Sequence, residues 1–518
     1  MIKNFKWLLL VSLTFVACNS NDDATVNPNS SDGLPLTAGT ADFSKYVALG
    51  NSLCAGYSDS ALFMAGQANS YPNILSQQFA LVGGGEFKIP YMNDNVGGLL
   101  LGGTPIQGPR LYFNGSGPAP VSGTTTTEIS NILTGPFNNM GVPGAKSFHL
   151  IAPGYGNIAG VATGQANPYF VRFASSPGTT ILADAISQNP TFFSLWIGSN
   201  DVLAYATSGG IGVNQTGNLN PATYGGNDIT DPNVFANVYT SLVTQLTANG
   251  AKGVVANIPD VTSVPFFTTV PTNPIPGLPP ASAGQLNALF GGINAALAGA
   301  GLPPRFVTLV ADDGNPATVE TNPLLITDES LPNISAQITA ALTPSLGAAT
   351  AGYLGSIYGQ ARHASNASGS KDYILLTART IIGTTQAGAP SPFNTVGVSY
   401  PMQDNTTLTA NETAQVKTAT DAYNTTIHSI ADASGLAFVD ANGILNLIAT
   451  GGIVVNGYTM TSTYVTGNSF SLDGVHPSSK GYALIANKFL EAINTKYGSN
   501  FKGVNLGNYQ ILYPATLP

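Results

Sequence analysis

Apolar residues in this chain fall into two rhythms. Four short, nearly unbroken apolar runs lie at 46–49, 191–197, 253–258 and 436–440. The first closes on Gly50-Asn51-Ser52, the second on Gly198 and the third on Pro259. Apolar runs of this length bounded by turn residues predict strands. Their lack of alternation predicts burial on both faces, as in a parallel sheet covered by helices. Over 233–248, 411–433 and 482–497 the apolar positions instead recur at helical spacing. Strands alternating with helices predict an α/β fold, a three-layer α/β/α sandwich. Ser52 then stands at the carboxyl end of a strand, the edge where open α/β sheets bind ligands.

Three stretches do not fit a minimal version of that domain. Residues 83–135, 202–230 and 262–400 are rich in Gly, Pro, Thr and Ser. They read as insertions on the rim of one domain spanning 41–518, with a separate second domain inside 262–400 as the alternative. No repeat of fixed period and no heptad run is visible. The 518 residues are 43% hydrophobic and only 8% charged, with 59 Gly and 35 Pro. That is apolar material for a large core in a loop-rich, extracytoplasmic style of sequence rather than a disordered one. The net charge of −9 and the lack of a basic patch argue against nucleic acid as a partner.

The amino terminus changes the picture of location. Lys3 and Lys6 precede a short apolar run at 7–11, and Val16-Ala17-Cys18 follows. This is the layout of a signal peptide, 1–17, and it is too short to span a bilayer as a mature helix. Val16-Ala17-Cys18 resembles the lipobox of bacterial lipoproteins, although Phe15 stands where that motif usually has Leu. The resemblance implies lipidation of Cys18, a membrane anchor and a place in the bacterial cell envelope as an outer-membrane lipoprotein. An ordinary secretory signal is the alternative. A lipidated Cys18 cannot pair with Cys54, the one other cysteine. Residues 18–40 are rich in Asn, Ser, Asp and Pro and predict a flexible tether. Within them Ser20-Asn21-Asp22-Asp23 is similar to the acidic export signals of surface lipoproteins in Bacteroidetes, and equally a solvated linker.

A serine at a strand end becomes a nucleophile only with a base, an orienting acid and donors for an oxyanion. Asn200, in Gly198-Ser199-Asn200-Asp201, follows the second apolar run and so falls on the same sheet edge as Ser52. Its side-chain amide can donate to an oxyanion, or it can simply cap a helix. The block Asn139-Met140-Gly141-Val142-Pro143-Gly144-Ala145-Lys146 predicts a tight glycine turn opening a helix, with a backbone N–H available as a second donor. Of four histidines, His149, His363, His428 and His476, only His476 has an acid three residues before it, Asp473. On one loop, that carboxylate can fix the imidazole tautomer and stabilise the imidazolium. Each piece alone is also an unremarkable turn.

Taken in order, the Gly-Asn-Ser-Leu block, the turn glycine, the Gly-Ser-Asn-Asp block and Asp473-Gly474-Val475-His476-Pro477 resemble the four blocks of the SGNH, or GDSL, hydrolase superfamily. With the lipobox, the chain looks most like the large SGNH lipoproteins of Bacteroidetes. The resemblance implies a flavodoxin-like sandwich with a mostly parallel sheet and an esterase or lipase-type serine hydrolase that needs no cofactor. Ser52 would be the nucleophile, His476 the base and Asp473 its orienting acid. The N–H groups of Ser52 and Gly144 and the Asn200 amide would form the oxyanion hole. Asn51 stands where the family usually has Asp, and Cys54 where it often has Thr. The competing expectation is a non-catalytic surface lipoprotein that binds glycans on the same fold. Four scattered histidines and one free cysteine make no metal ligand set, and no glycine loop for phosphate stands out. The partner expected is an ester of a lipid or glycan, and the residues do not separate the two. The segment 259–267, leaving the third apolar run, either lines an acyl pocket or packs on the core.

Overall fold

Five strands form one all-parallel sheet in the computed structural model, which describes residues 27–518. They are β1 (Tyr46–Gly50), β2 (Asn139–Gly141), β3 (Phe192–Trp196), β4 (Lys252–Ala256) and β5 (Ala437–Val439), in the order β5-β4-β3-β1-β2. The register runs Tyr46 opposite Phe192 to Gly50 opposite Trp196, which brings the carboxyl ends of β1 and β3 level. All residues of β1 and β3 are buried, so both faces of the sheet are covered. Four of these strands coincide with the four apolar runs. The fifth, β2, falls inside the block expected to be a turn entering a helix. It is three residues long and begins with a polar residue, and it exists because it pairs along β1 from Ala48–Asn139 to Gly50–Gly141.

The helices that matter here are α1 (Ser52–Ala55), α2 (Tyr71–Ala80), α3 (Ile181–Ile186), α4 (Asn200–Thr207), α5 (Pro232–Thr247), α6 (Pro280–Gly299), α7 (Ser335–Leu346), α8 (Ala348–Tyr358), α9 (Ala410–Ala433), α10 (Ala441–Thr450) and α11 (Ser479–Tyr497). Local chemistry sets their ends. Asp231 caps α5 by accepting from the Asn233 and Val234 N–H groups, with Pro232 at the first position. Thr409 and Glu412 make a capping box on α9. Ser478 opens α11 and Gly498, at φ +73°, closes it. The helices pack in pairs: Phe235 of α5 stacks on Tyr423 of α9 at 4.3 Å, and Tyr71 of α2 meets Phe489 of α11 at 4.7 Å.

Of the stretches outside the minimal domain, 83–135 carries two antiparallel ribbons, Leu99–Leu101 with Thr104–Gln107 and Leu111–Phe113 with Pro118–Pro120. The stretch 202–230 starts as the body of α4 and only then becomes loop. The stretch 262–400 holds α6, α7 and α8 around an apolar cluster of its own, with Phe290, Ile293, Leu354 and Tyr358. Arg362 ties it together through Asp328 and Asp372, each at 2.6 Å, and Asp372 also accepts from Ala410 N at the start of α9.

The tether expected over 18–40 is docked where it is described. Ser31 N donates to Asn500 O, Thr37 N to Asn500 Oδ1 and Thr40 N to Tyr497 O. The Asn500 amide returns bonds to Asp32 and Pro35. The segment is held by these hydrogen bonds to the end of α11 and the chain just after it, with Leu36 and Ala38 packed against the main core. The signal peptide, Cys18 and the acidic run at 20–23 lie outside the described residues. Among the described residues, no helix is long and apolar enough to cross a membrane.

Candidate active site

The turn after β1 is shaped by close approach. A Cβ on Gly50 would lie 2.5 Å from Trp196 O and 2.8 Å from the Cys54 side chain, so only glycine lets β1, β3 and α1 meet. Asn51 then caps α1, its Oδ1 accepting from Leu53 N at 3.0 Å. This gives Asn51 a structural task. Ser52 is the first residue of α1. Cys54 is fully buried, with Sγ 3.5 Å from Asn139 Oδ1, and burial pushes its thiol well above the ordinary range. It is a small packing residue, not a reactive thiol.

The loop before α11 brings the partners. Ser471 N donates to His476 O, and Gly474, at φ +74°, donates back to Ser471 O. Inside that turn Asp473 Oδ1 accepts from Val475 N at 2.9 Å, His476 N at 2.8 Å and Ser471 Oγ at 3.1 Å. Its Oδ2 faces His476 Nδ1 at 2.9 Å and accepts from Ser60 N at 3.1 Å. Burial opposes ionisation of Asp473. The His476 imidazole and this set of donors outweigh it and hold the carboxyl down to about 2. A carboxylate only accepts, so Nδ1 carries the proton of the neutral ring and Nε2 is left as acceptor. Nε2 lies 2.9 Å from Ser52 Oγ. The ring of Tyr57 sits 4.6 Å from that of His476, centroid to centroid.

Asn200 opens α4 at the end of β3, and its Nδ2 donates to Ala145 O at 2.9 Å. Next to it the buried Asp201 accepts from Ser147 N at 2.8 Å and Ser147 Oγ at 2.7 Å, which clamps the 139–147 block against α4. The two glycines of that block differ. Gly141 ends β2, commits its N–H to Asn139 Oδ1 and touches Ala55, where a Cβ would be 2.4 Å from the backbone nitrogen. Gly144 sits in a left-handed turn at φ +80°. Among the described residues, neither its N–H nor that of Ser52 has an acceptor. Ser52, Asn200 and His476 face one cavity. Gly144 is not in its wall, and is placed beside it through Ala145.

One acid near the site has no sequence signal. Asp59, fully buried at φ +52°, donates its N–H to Ser471 Oγ and accepts from Leu472 N through Oδ1. Among the described residues its Oδ2 has no hydrogen-bond partner. Burial, reinforced by the charge of Asp473, pushes the carboxyl up to about 7. The unfolded chain releases this proton near pH 4, so native stability falls as pH rises from there through about 7. Asp59→Asn keeps the acceptor for Leu472 and removes the titration. Its Tm should exceed that of the wild type at pH 8, with a smaller gap at pH 4.5. A gap independent of pH would show that Asp59 does not titrate on unfolding.

Comparison of the chain with known protein families, curated proteins and solved structures finds no match.

Proposed function

We propose that the protein is a serine ester hydrolase of the SGNH type, built on a flavodoxin-like α/β/α sandwich. The observation that carries this reading is the relay of two 2.9 Å contacts, Ser52 Oγ to His476 Nε2 and His476 Nδ1 to Asp473 Oδ2. The strand order supports it. Numbered along the chain it is 2-1-3-4-5, the flavodoxin-like order, whose switch point lies between β1 and β3. Ser52 and Asn200 are the residues that leave those two strands.

In this mechanism Ser52 Oγ attacks the ester carbonyl carbon while Nε2 of His476 takes its proton. The imidazolium is held by the Asp473 carboxylate. The carbonyl oxygen becomes an oxyanion facing the Ser52 N–H and the free hydrogen of the Asn200 amide. Collapse expels the alcohol, which leaves with the proton from His476. Water then attacks the acyl-enzyme with His476 again as base, releasing the acid and restoring Ser52.

A fluorophosphonate probe tests the assignment directly. Stoichiometric labelling of the folded protein, mapped to the peptide containing Ser52, is the expected result. A folded sample that takes no label would instead favour a binding protein without catalysis. Asn200→Ala should fold, because it loses one hydrogen bond to Ala145 O. Its kcat should fall about 100- to 1000-fold, the usual effect of removing one oxyanion donor, with KM little changed. An unaltered kcat measured on a short-chain ester would remove Asn200 from the oxyanion hole. The envelope anchor is part of the same proposal: cells fed a labelled fatty acid should label the wild-type chain and not Cys18→Ser.

A further inference from the structure

The cavity that receives Ser52, Asn200 and His476 extends well beyond what the reaction needs. It holds about 110 Å³ of space, room for several waters and so for more than the reacting ester group alone. Two amphipathic helices supply much of its wall. From α10 come Ala441, Ile444, Leu445 and Ile448, and from α11 Gly481, Leu484, Ile485 and Phe489. On each helix these fall at i, i+3, i+4 and about i+7, one stripe running along the helix. Ile444 and Ile485 are only half-buried, although both are aliphatic and sit among core residues. Both form part of the cavity wall. Pro259, Val261 and Val264 close another side, so the segment leaving β4 does line the pocket, while Phe267 goes into the core.

The polar groups are concentrated at one end. Away from Asn51, Ser52, Ser199, Asn200 and His476, the side chains with polar atoms in the wall are Trp196, whose Nε1 donates to Asn257 O, Ser469 and Lys488. Ser469 Oγ is directed at Gly467 O, and Lys488 Nζ is paired with Glu491 at 2.8 Å. A sugar ring inserted here would bury hydroxyls without partners, which is costly. A hydrocarbon chain would lose no hydrogen bond. The two stripes are about 10–12 Å long, the span of an extended alkyl chain of roughly eight carbons.

We infer that this cavity binds the acyl chain of the substrate, and that the preferred substrates are esters of unbranched fatty acids of about eight carbons rather than acetylated glycans. This rests on the hydrolase reading above. The acyl arm is assigned to the cavity because that arm stays on Ser52 after the alcohol departs. The deacylating water must reach His476 from the side the alcohol has vacated, so the enclosed side suits the group that remains.

The test uses ethyl esters of acids from two to sixteen carbons, with octyl acetate and an acetylated xylan, on the full chain. We expect kcat/KM to rise roughly fourfold per methylene, as burial of each CH₂ in an apolar site implies, and to level off near eight carbons. Octyl acetate should behave like ethyl acetate. Ile485→Trp and, separately, Ile444→Trp should shift the optimum to acids shorter than eight carbons. Using two variants on different helices guards against one that fails to fold. Turnover that is flat or falling with acyl length, preference for acetylated xylan, or a length effect on the alcohol side would each overturn the inference while leaving a fluorophosphonate-reactive hydrolase intact. Absence of both turnover and labelling would overturn both readings.

Discussion

Purified Ser52→Ala protein should fold like the wild type and hydrolyse esters on the order of a million-fold more slowly. The two halves of this expectation come from different contacts. Ser52 Oγ bonds to His476 Nε2, and among the described residues no other shares it. The backbone carbonyl of Ser52, which accepts from Gly56 N at 3.1 Å and Tyr57 N at 3.0 Å, is untouched by the change. Alanine also suits the first turn of a helix. The melting temperature should therefore move little. Catalysis loses its nucleophile, and the oxyanion donors and His476 can assist only direct attack by water. Single-turnover and steady-state assays on an ester, with a thermal melt of the same preparation, check both halves. Ester hydrolysis above about one percent of wild type in a well-folded sample would mean that Ser52 is not the nucleophile.

The sheet is legible in the sequence where strands are apolar throughout, since burial on both faces selects such runs. β1, β3, β4 and β5 belong to this class. β2 does not: three residues beginning with Asn139 carry no pattern, and only pairing with β1 makes them a strand. The site divides in the same way. Asp473 and His476 are readable as a pair because they share one turn, and Asn51-Ser52 and Asn200 because each leaves a legible strand. The contact between Ser52 and His476 spans 424 residues and is made only by the fold. Asp59 left no trace in the sequence, because what makes it unusual is its burial beside Asp473. The cavity wall is likewise a tertiary property. α10 gives four apolar positions at helical spacing, but a core-facing stripe and a pocket-facing stripe look identical until the neighbours are known. This is why the resemblance of the sequence motifs implies an ester hydrolase yet leaves lipid and glycan esters undivided.

Asp473→Asn should lower kcat by about 10⁴-fold, through the direction of a single proton. Asp473 Oδ1 accepts from three donors, Val475 N, His476 N and Ser471 Oγ, while Oδ2 faces His476 Nδ1 and Ser60 N. An asparagine has one oxygen to place, and the side with three donors claims it. The amide nitrogen then faces Nδ1 and the Ser60 N–H. Since it donates, Nδ1 must accept, and the neutral ring carries its proton on Nε2. That tautomer cannot take the proton of Ser52. The imidazolium also loses a carboxylate that is held at about 2 and so stays ionised throughout the working range. Opposed donors at Ser60 cost about 1–3 kcal/mol of stability, so the melting temperature should fall modestly, far short of unfolding. Fluorophosphonate labelling of Ser52 should slow in parallel with kcat, because both reactions need His476 as base. Wild-type labelling rates in a folded Asp473→Asn protein would show that the carboxylate does not set the tautomer, and that its bonds to Val475, His476 and Ser471 serve only to hold the loop.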